Sequence, residues 1–350
     1  MRSLTLARSL AMAALIGCGG ESTPVGATAP SGDEDAGARA PTPAADAAPG
    51  DDAGDDGGGD PARDPNADGP FAYAEKDAQM TVAATSDTVA VHAAYPSGAG
   101  PFPLVLLAHG FQLPPEQYYG YLKRLASFGY VAMTVDFPTS LGGNDNPRQA
   151  KAIIAAIDWA KTDPSFGSSV DTSAVGTTGH SLGGKLALLA ATMDARIKAV
   201  IALDPVDGGG PTGCAAPACV NVAALMPSLA IPTAFLGETT DATGSLQACA
   251  PAASNYTTFY AKAQTPSLQV TLTGANHMSF LDDVSTCGLT CAFCNPATAP
   301  NAQITATARA FMTAFFERHL RSKGAYDAHL TGPTAQARYV TTGQAVIIFK

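Results

Sequence analysis

A serine flanked by glycines is the feature of this 350-residue sequence that most directly suggests chemistry. Residues 179–183 read Gly-His-Ser-Leu-Gly, after a short apolar run and before a helix-forming run. In a sharp strand-to-helix turn, small neighbours let the Ser181 hydroxyl stand clear of the sheet, beside a helix N-terminus that favours developing negative charge. The five-residue pattern is weak by itself. Its position between strand and helix predicts Ser181 to be a nucleophile.

A serine hydroxyl becomes a useful nucleophile only when a base takes its proton, so one of the six histidines must serve. His277 follows the last central strand, where the chain order Ser, Asp, His places the base. His180 neighbours the serine, but we expect its side chain to point away from the reacting atoms. The others fall in the predicted strands, the last helix and the tail: His92, His109, His319 and His329. We predict His277 to be the general base.

Two acids could orient that histidine. Asp204 directly ends the strand after the nucleophile helix, so its carboxylate is held rigidly at the carboxyl edge of the sheet, where α/β sheets gather their sites. Asp241 lies several residues into the loop after the next strand. We therefore prefer Asp204, with Asp241 as the main alternative. Less favoured acids are Asp207, Glu238, Asp282 and Asp283.

An ester or amide carbonyl under attack needs two donors for its oxyanion. One is the backbone N–H after the nucleophile, which here belongs to Leu182. The other comes from the loop after the first long buried strand, which begins His109-Gly110-Phe111. We predict Phe111 N–H as the second donor and keep Gln112 as the alternative.

The elements that must position these residues alternate along the chain. Continuously apolar runs suit strands buried on both faces, and helical periodicity separates them, which predicts a mainly parallel α/β sheet with helices on both faces and no large lid. The predicted strands are 79–84, 88–95, 104–108, 130–135, 175–178, 197–203, 232–236 and 268–272, and the predicted helices are 115–127, 147–161, 185–193, 256–262 and 302–322. For the tail, 338–349, we predict one extra strand or a hairpin.

The net charge of −10 is not spread evenly. Residues 19–70 hold twelve acidic and two basic side chains and almost no large apolar ones, so they cannot bury enough surface to offset the entropy of ordering. We predict a disordered acidic linker there and a catalytic domain over 71–350. That domain is nearly neutral, which argues against a nucleic-acid partner.

The first 18 residues predict export. Two arginines precede an apolar stretch that is too short to span a bilayer but fits a signal peptide. Its end, Leu15-Ile16-Gly17-Cys18, resembles the lipobox of bacterial lipoproteins, in which the cysteine is acylated. We expect Cys18 to carry a lipid anchor that holds a monomeric protein at a membrane of the bacterial cell envelope or surface.

Six further cysteines predict three disulfides, because their number is even and the compartment is oxidising. Only the short spacing of Cys214 and Cys219 suggests a pairing. The others are Cys249, Cys287, Cys291 and Cys294. The last three could suggest a metal site, but no fourth ligand is evident, so we expect neither a metal nor any other cofactor.

Four stretches together resemble a known family: LLAHGF around His109, GHSLGGK around Ser181, ALDPV around Asp204 and NHMSFLDD around His277. They are similar to the α/β-hydrolase superfamily and, within it, to the chlorophyllases, with plasma-type platelet-activating-factor acetylhydrolases and bacterial polyester hydrolases as more distant relatives. In the first two groups the resemblance implies Asp204 as the acid; in polyester hydrolases it implies the later position, Asp241. The lipobox, the linker and the C-terminal strand depart from the pattern.

The expected function is therefore that of a serine carboxylesterase that acts on a hydrophobic ester through an acyl-enzyme intermediate. We expect apolar side chains to line the cleft: Phe111, Phe137, Leu182, Met278 and Phe280. A polyester or a phospholipid-like ester is the alternative substrate. An alternative of another class is a surface lipoprotein that binds a ligand on a hydrolase fold without catalysis.

Overall fold

The computed structural model describes residues 62–137, 144–208, 215–244 and 248–350. All of these residues belong to a single folded unit. The predicted signal peptide, Cys18, most of the predicted linker and Cys214 lie outside the described residues.

A nine-stranded sheet forms the centre of the described part, in the order β1-β2-β4-β3-β5-β6-β7-β8-β9. Six neighbouring strands are parallel, namely β4, β3, β5, β6, β7 and β8. The strands β1, β2 and β9 run antiparallel to their neighbours. The strands are β1 Tyr73–Val82, β2 Asp87–Pro96, β3 Phe102–Ala108, β4 Val131–Asp136, β5 Val170–His180, β6 Ile197–Leu203, β7 Thr233–Gly237, β8 Ser267–Leu272 and β9 Ala345–Phe349.

Helices connect most of the parallel strands, as the alternation in the sequence predicts; the described part of the connection from β6 to β7 holds only a 3-10 turn. The helices are α1 Tyr119–Ser127, α2 Asn146–Ala160, α3 Leu182–Met193, α4 Tyr256–Lys262, α5 Asn301–Leu320 and the short α6 Asp327–Leu330 and α7 Pro333–Ala335. Short 3-10 turns occupy Pro115–Tyr118, Ala223–Ser228, His277–Phe280, Val284–Thr286, Gly288–Phe293 and Gly324–Tyr326, and a π turn occupies Gln336–Val340. Within the described ranges, no helix is both long and apolar enough to cross a membrane.

Strand β3 shows why the sheet needs helices on both faces. Successive side chains of a strand point to opposite faces, and in β3 both sets are apolar. Leu104 and Leu106 join a core with α2, α3 and α4, whereas Val105 and Leu107 join a second core with α1 and α5. The mainly parallel sheet with a helical layer on each face is the predicted α/β-hydrolase architecture.

The C-terminal tail adds one strand. β9 pairs antiparallel with β8, from Leu272 opposite Ala345 to Leu268 opposite Phe349. Of the two predicted alternatives for 338–349, the single strand is therefore the one observed. It occupies the edge of the sheet, and its outer residues Val346, Ile348 and Phe349 are exposed.

The folded unit begins before Phe71, the predicted start of the domain. Arg338 forms two hydrogen bonds with the carboxylate of Asp64, at 2.7 and 2.8 Å, and Asn66 Nδ2 donates to Tyr339 Oη at 2.8 Å. Pro65 is buried. Residues 62–70 look like linker by composition, but partners from the far end of the chain hold them, and the local sequence contains no sign of those partners.

Candidate active site

Ser181 occupies a strained turn between β5 and α3. Its φ of 56° and ψ of −120° lie outside the regions that side-chain-bearing residues normally adopt. A Cβ at Gly183 would lie 2.0 Å from the carbonyl oxygen of Ala108, so only glycine permits the first turn of α3 to approach the end of β3. The Ser181 N–H donates to Leu203 O at 3.0 Å, which fixes the turn against the end of β6.

His277 meets Ser181 through its ring. The distance from His277 Nε2 to Ser181 Oγ is 2.8 Å. The histidine begins a 3-10 turn after β8, and reciprocal bonds between Asn276 and Ser279 close the start of that turn. The ring is buried.

Asp204 lies on the other side of the same ring, with its Oδ2 at 2.6 Å from His277 Nδ1. The residue directly follows β6, and its own N–H donates to Leu236 O at 2.6 Å, which is the rigid attachment that the sequence predicts. Complete burial raises the pKa of the Asp204 carboxyl, while the hydrogen bond from His277 opposes that rise. In such a poorly solvated site the carboxylate interacts strongly with a positively charged imidazole.

Asp241, the alternative acid, also contacts His277, but through the backbone. Its Oδ2 accepts from His277 N–H at 2.7 Å, and its Oδ1 accepts from Asn295 N–H at 2.7 Å. The two acids therefore hold different parts of one residue: Asp204 holds the ring and Asp241 holds the peptide.

The remaining acids are engaged away from the ring. Glu238 Oε2 accepts from Asp241 N–H at 2.7 Å, and burial, followed by the charge of Asp204, raises the pKa of Glu238 to about 7. Asp207 accepts from the N–H groups of residues 222 and 223 and lies 3.2 Å from Lys185 Nζ. Asp282 pairs with Arg309 at 2.6 Å, and Asp283 accepts from Ser285 N–H at 2.9 Å.

The two predicted oxyanion donors lie on adjoining elements. Leu182 begins α3, so its N–H is among the first four of the helix, which have no acceptor within the helix. Phe111 follows the end of β3 and is half-buried. The close approach of Gly183 to Ala108 and His109 brings these two elements together.

Two residues of the site could not be assigned a partner from the sequence. His180 does point away from Ser181 Oγ, but its Nε2 lies 2.8 Å from His277 O and its Nδ1 lies 2.8 Å from Tyr118 Oη. Tyr118 is fully buried and comes from the short turn before α1. The only local signal was the position of His180 beside the nucleophile, and that position does not reveal which distant groups it meets.

Most of the side chains that were expected to line an apolar cleft are buried. Phe137 is buried and stacks on His109 with ring centroids 4.1 Å apart, and Phe280 is buried against His180. Both rings pack against histidines close to the site, and neither lines an open surface. Leu182 and Met278 are almost completely buried too, which leaves Phe111 as the half-buried member of the predicted set.

Two disulfides join described cysteines: Cys249–Cys294 and Cys287–Cys291. The pairing of Cys214 with Cys219 lies outside the described residues because Cys214 does. Asp241, Cys249 and Cys294 offer ligand atoms within 4.8 Å of one another, but the two sulfurs are bonded to each other and do not provide thiolate ligands.

Comparison with known proteins identifies the family. The chlorophyllase family matches residues 66–336, which is well over half of the chain. The chain belongs to the chlorophyllase family. Its match includes every residue of the hydrogen-bonded site around His277.

Individual relatives of this chlorophyllase-family chain are distant. Chlorophyllase-1 of Citrus sinensis is 26% identical over 194 residues, covering 54% of this chain and 58% of the relative. A bis(hydroxyethyl) terephthalate hydrolase of Streptomyces coelicolor is 29% identical over 189 residues, covering 53% and 54%. Cutinase 2 of Thermobifida cellulosilytica is 30% identical over 139 residues, covering 39% and 52%. The chain thus spans 52–58% of the length of these three relatives. All three are named as ester hydrolases, which supports an α/β-hydrolase esterase family.

Proposed function

We propose that this protein is a carboxylic ester hydrolase in which Ser181 is the nucleophile, His277 the general base and acid, and Asp204 the acid that orients the histidine. One observation carries the proposal. The side chains form an unbroken series of hydrogen bonds, 2.8 Å from Ser181 Oγ to His277 Nε2 and 2.6 Å from His277 Nδ1 to Asp204 Oδ2. This arrangement also argues against a purely ligand-binding lipoprotein, which would have no use for it.

The proton balance of the reaction follows from this arrangement. His277 keeps its Nδ1 proton, donates a hydrogen bond from it to the Asp204 carboxylate, and presents the Nε2 lone pair to the hydroxyl of Ser181. Ser181 Oγ bonds to the ester carbonyl carbon while its proton passes to Nε2. The resulting imidazolium then gives that proton to the leaving alcohol as the ester bond breaks. Water then attacks the acyl carbon while its proton passes to His277 Nε2. The imidazolium returns that proton to Ser181 Oγ as the acyl bond breaks, which releases the acid.

The negative charge of each tetrahedral intermediate needs fixed donors. We assign this role to the N–H groups of Phe111 and Leu182, with Gln112 as the alternative to Phe111. The N-terminal end of α3 adds its dipole at the same place. These donors cost no reorganisation when charge develops because the packing of α3 against the end of β3 already fixes their elements.

The proposed substrate class is a hydrophobic ester. Support comes from the half-buried Phe111 beside the nucleophile turn and from relatives that include chlorophyllases, a cutinase and a bis(hydroxyethyl) terephthalate hydrolase. A polyester or phospholipid-like ester remains the alternative substrate. The contact between Asp204 and the ring of His277 favours the chlorophyllase and acetylhydrolase arrangement over that of the polyester hydrolases.

The test of the nucleophile uses purified Ser181→Ala and a panel of p-nitrophenyl esters of increasing acyl length. We expect the variant to lose turnover and fluorophosphonate labelling, because no other serine lies at His277 Nε2 in the described part of the chain. Ser228→Ala, at an exposed serine in a short turn, is the matched control and should behave as the parent does. Parent-like hydrolysis by Ser181→Ala would refute the assignment.

We further propose that Cys18 is acylated and that the protein is displayed on a membrane of the cell envelope through the acidic linker. The support is the sequence alone, since residues 1–61 lie outside the described part of the chain. Cys18→Ala should move the protein from the membrane fraction to the soluble one. Deletion of 19–61 should leave ester turnover in solution unchanged, and a large loss would contradict the separation of linker and catalytic domain.

A further inference from the structure

Tyr118 and His180 connect two parts of the site through hydrogen bonds. Gly110 N–H lies 3.2 Å from Tyr118 Oη, Tyr118 Oη lies 2.8 Å from His180 Nδ1, and His180 Nε2 lies 2.8 Å from His277 O. Gly110 directly precedes Phe111, the proposed oxyanion donor. The series therefore runs from the oxyanion loop to the peptide of the proposed general base.

The groups at the two ends of this series, Gly110 N–H and His277 C=O, fix the direction of every hydrogen bond in it. Gly110 N–H can only donate, so Tyr118 Oη is its acceptor. The carbonyl oxygen of His277 can only accept, so His180 carries its proton on Nε2. Burial, followed by repulsion from His277, holds the pKa of His180 well below its usual range, so the ring is neutral and Nδ1 has a free lone pair. That lone pair accepts the proton of Tyr118, and every polar atom in the series is satisfied.

The packing leaves little freedom to this series. A Cβ at Gly110 would lie 3.1 Å from both His180 Nδ1 and Tyr118 Oη and 2.7 Å from Leu113 Cδ1, so glycine permits the close approach. The rings of His180 and His277 are 4.7 Å apart between centroids. Tyr118 and His180 are both fully buried, so water does not compete for these bonds.

We propose that Tyr118 and His180 are positioning residues that hold the oxyanion loop and the peptide of His277 in fixed register during ester hydrolysis. This proposal rests on the proposed function. Asp241 accepts from the N–H of His277, and His180 donates to its C=O. The backbone of His277 is therefore held on both sides of its Cα, while Asp204 orients the ring. Loss of the series would let the oxyanion donor and the general base move independently, and small misplacements are costly in catalysis.

The test compares Tyr118→Phe with Tyr130→Phe. Both remove one buried hydroxyl that makes a 2.8 Å hydrogen bond, but Tyr130 Oη donates to Glu317, at the other end of α5 from the site. Turnover is measured per active serine, with fluorophosphonate titration to count the sites. We expect the two variants to lose similar thermal stability. Only Tyr118→Phe should lose kcat, on the order of tenfold, with KM within about twofold of the parent.

A second pair of variants tests the contact with His277 if Tyr118→Phe fails to fold. The amide nitrogen of Gln can take the place of His Nε2, so His180→Gln should retain more kcat per titrated site than His180→Leu. Nitrogen-15 NMR of labelled histidine should find His180 protonated at Nε2. A proton on Nδ1, or equal kcat for the Gln and Leu variants, would overturn the proposal.

The outcomes also separate this proposal from the proposed function. Full turnover by Ser181→Ala would refute the esterase mechanism itself. An inactive Ser181→Ala together with equal kcat per titrated site for Tyr118→Phe and Tyr130→Phe would leave the esterase intact and refute the positioning role.

Discussion

Asp241 holds the backbone of His277 and not its ring: the carboxylate Oδ2 accepts from His277 N–H at 2.7 Å. The position after β7 supplies a second buried acid close to the histidine, but the ring nitrogen Nδ1 is already occupied by Asp204 at 2.6 Å. The preferred acid and the main alternative from the sequence therefore both contact His277, through different atoms. Loss of the ring contact and loss of the backbone contact should therefore affect catalysis differently.

Asp204→Asn and Asp241→Asn should both lower kcat, but to different extents. In Asp204→Asn the amide no longer fixes the Nδ1–H tautomer of His277, and we expect kcat to fall roughly ten-thousand-fold. Asp241→Asn keeps the ring contact but disturbs the peptide, which should cost about tenfold to a hundredfold. Steady-state kinetics on one p-nitrophenyl ester measures both. The control is Asp171→Asn, at the start of β5, where the carboxylate accepts from Ser173 N–H. A larger loss in Asp241→Asn would reverse the two roles.

The Cys249–Cys294 disulfide should matter more than Cys287–Cys291. Their sequence separations are 45 and 4 residues, so the loop entropy removed from the unfolded chain corresponds to about 4 and about 2 kcal/mol. Cys294 also precedes Asn295, whose N–H binds Asp241 Oδ1 at 2.7 Å. Replacing the first pair by alanines should therefore lower both the free energy of unfolding and kcat.

Chemical denaturation and kinetics of the two double variants provide the measurement. We expect Cys287→Ala/Cys291→Ala to keep the kcat of the parent. If the two double variants lost stability and kcat equally, the connection from the disulfide through Asn295 to Asp241 would be without effect.

Glu238 should make stability depend on pH. Burial, followed by the charge of Asp204, raises its pKa from 4.5 to about 7, so the folded protein keeps a proton that the unfolded chain releases. Stability should consequently decrease as pH rises from about 4.5 to about 7, and the full loss should persist above that. Glu238→Gln removes this dependence.

The measurement is the Tm of the parent and of Glu238→Gln at pH 5 and pH 8. The variant should gain stability relative to the parent at pH 8, whereas Glu116→Gln, at an exposed position, should follow the parent at both values. A difference between parent and Glu238→Gln that is the same at pH 5 and pH 8 would show that Glu238 ionises normally.

Gly183→Ala should destabilise the fold itself. Its Cβ would meet Ala108 O at 2.0 Å and His109 O at 2.5 Å, and neither backbone atom can yield without separating α3 from β3. We expect a loss of about 3 kcal/mol or more in the free energy of unfolding. Gly324→Ala, with nothing within 4 Å of the added Cβ, is the control and should leave the Tm nearly unchanged. Equal Tm values would mean that the turn adapts more easily than its packing suggests.

Features encoded in short stretches of sequence could be predicted. The apolar runs gave the parallel strands β3 to β8, because a strand buried on both faces must be apolar throughout. The small residues around Ser181 gave the turn, and the fixed chain order pointed to His277. Features that depend on partners distant in the chain could not be predicted, such as the packing of residues 62–70 against Arg338 and Tyr339, or the burial of Phe137 and Phe280.

The sequence by itself determined the fold class and which residue types meet at the carboxyl edge of the sheet, because strand periodicity and turn chemistry are local properties of the chain. Only the tertiary structure decided how the buried polar groups share their hydrogen bonds. Asp204, Asp241 and His180 each approach a different atom of His277, at 2.6, 2.7 and 2.8 Å. Which acceptor reaches which donor depends on the relative placement of four strand ends, and that placement is set by packing across the whole sheet.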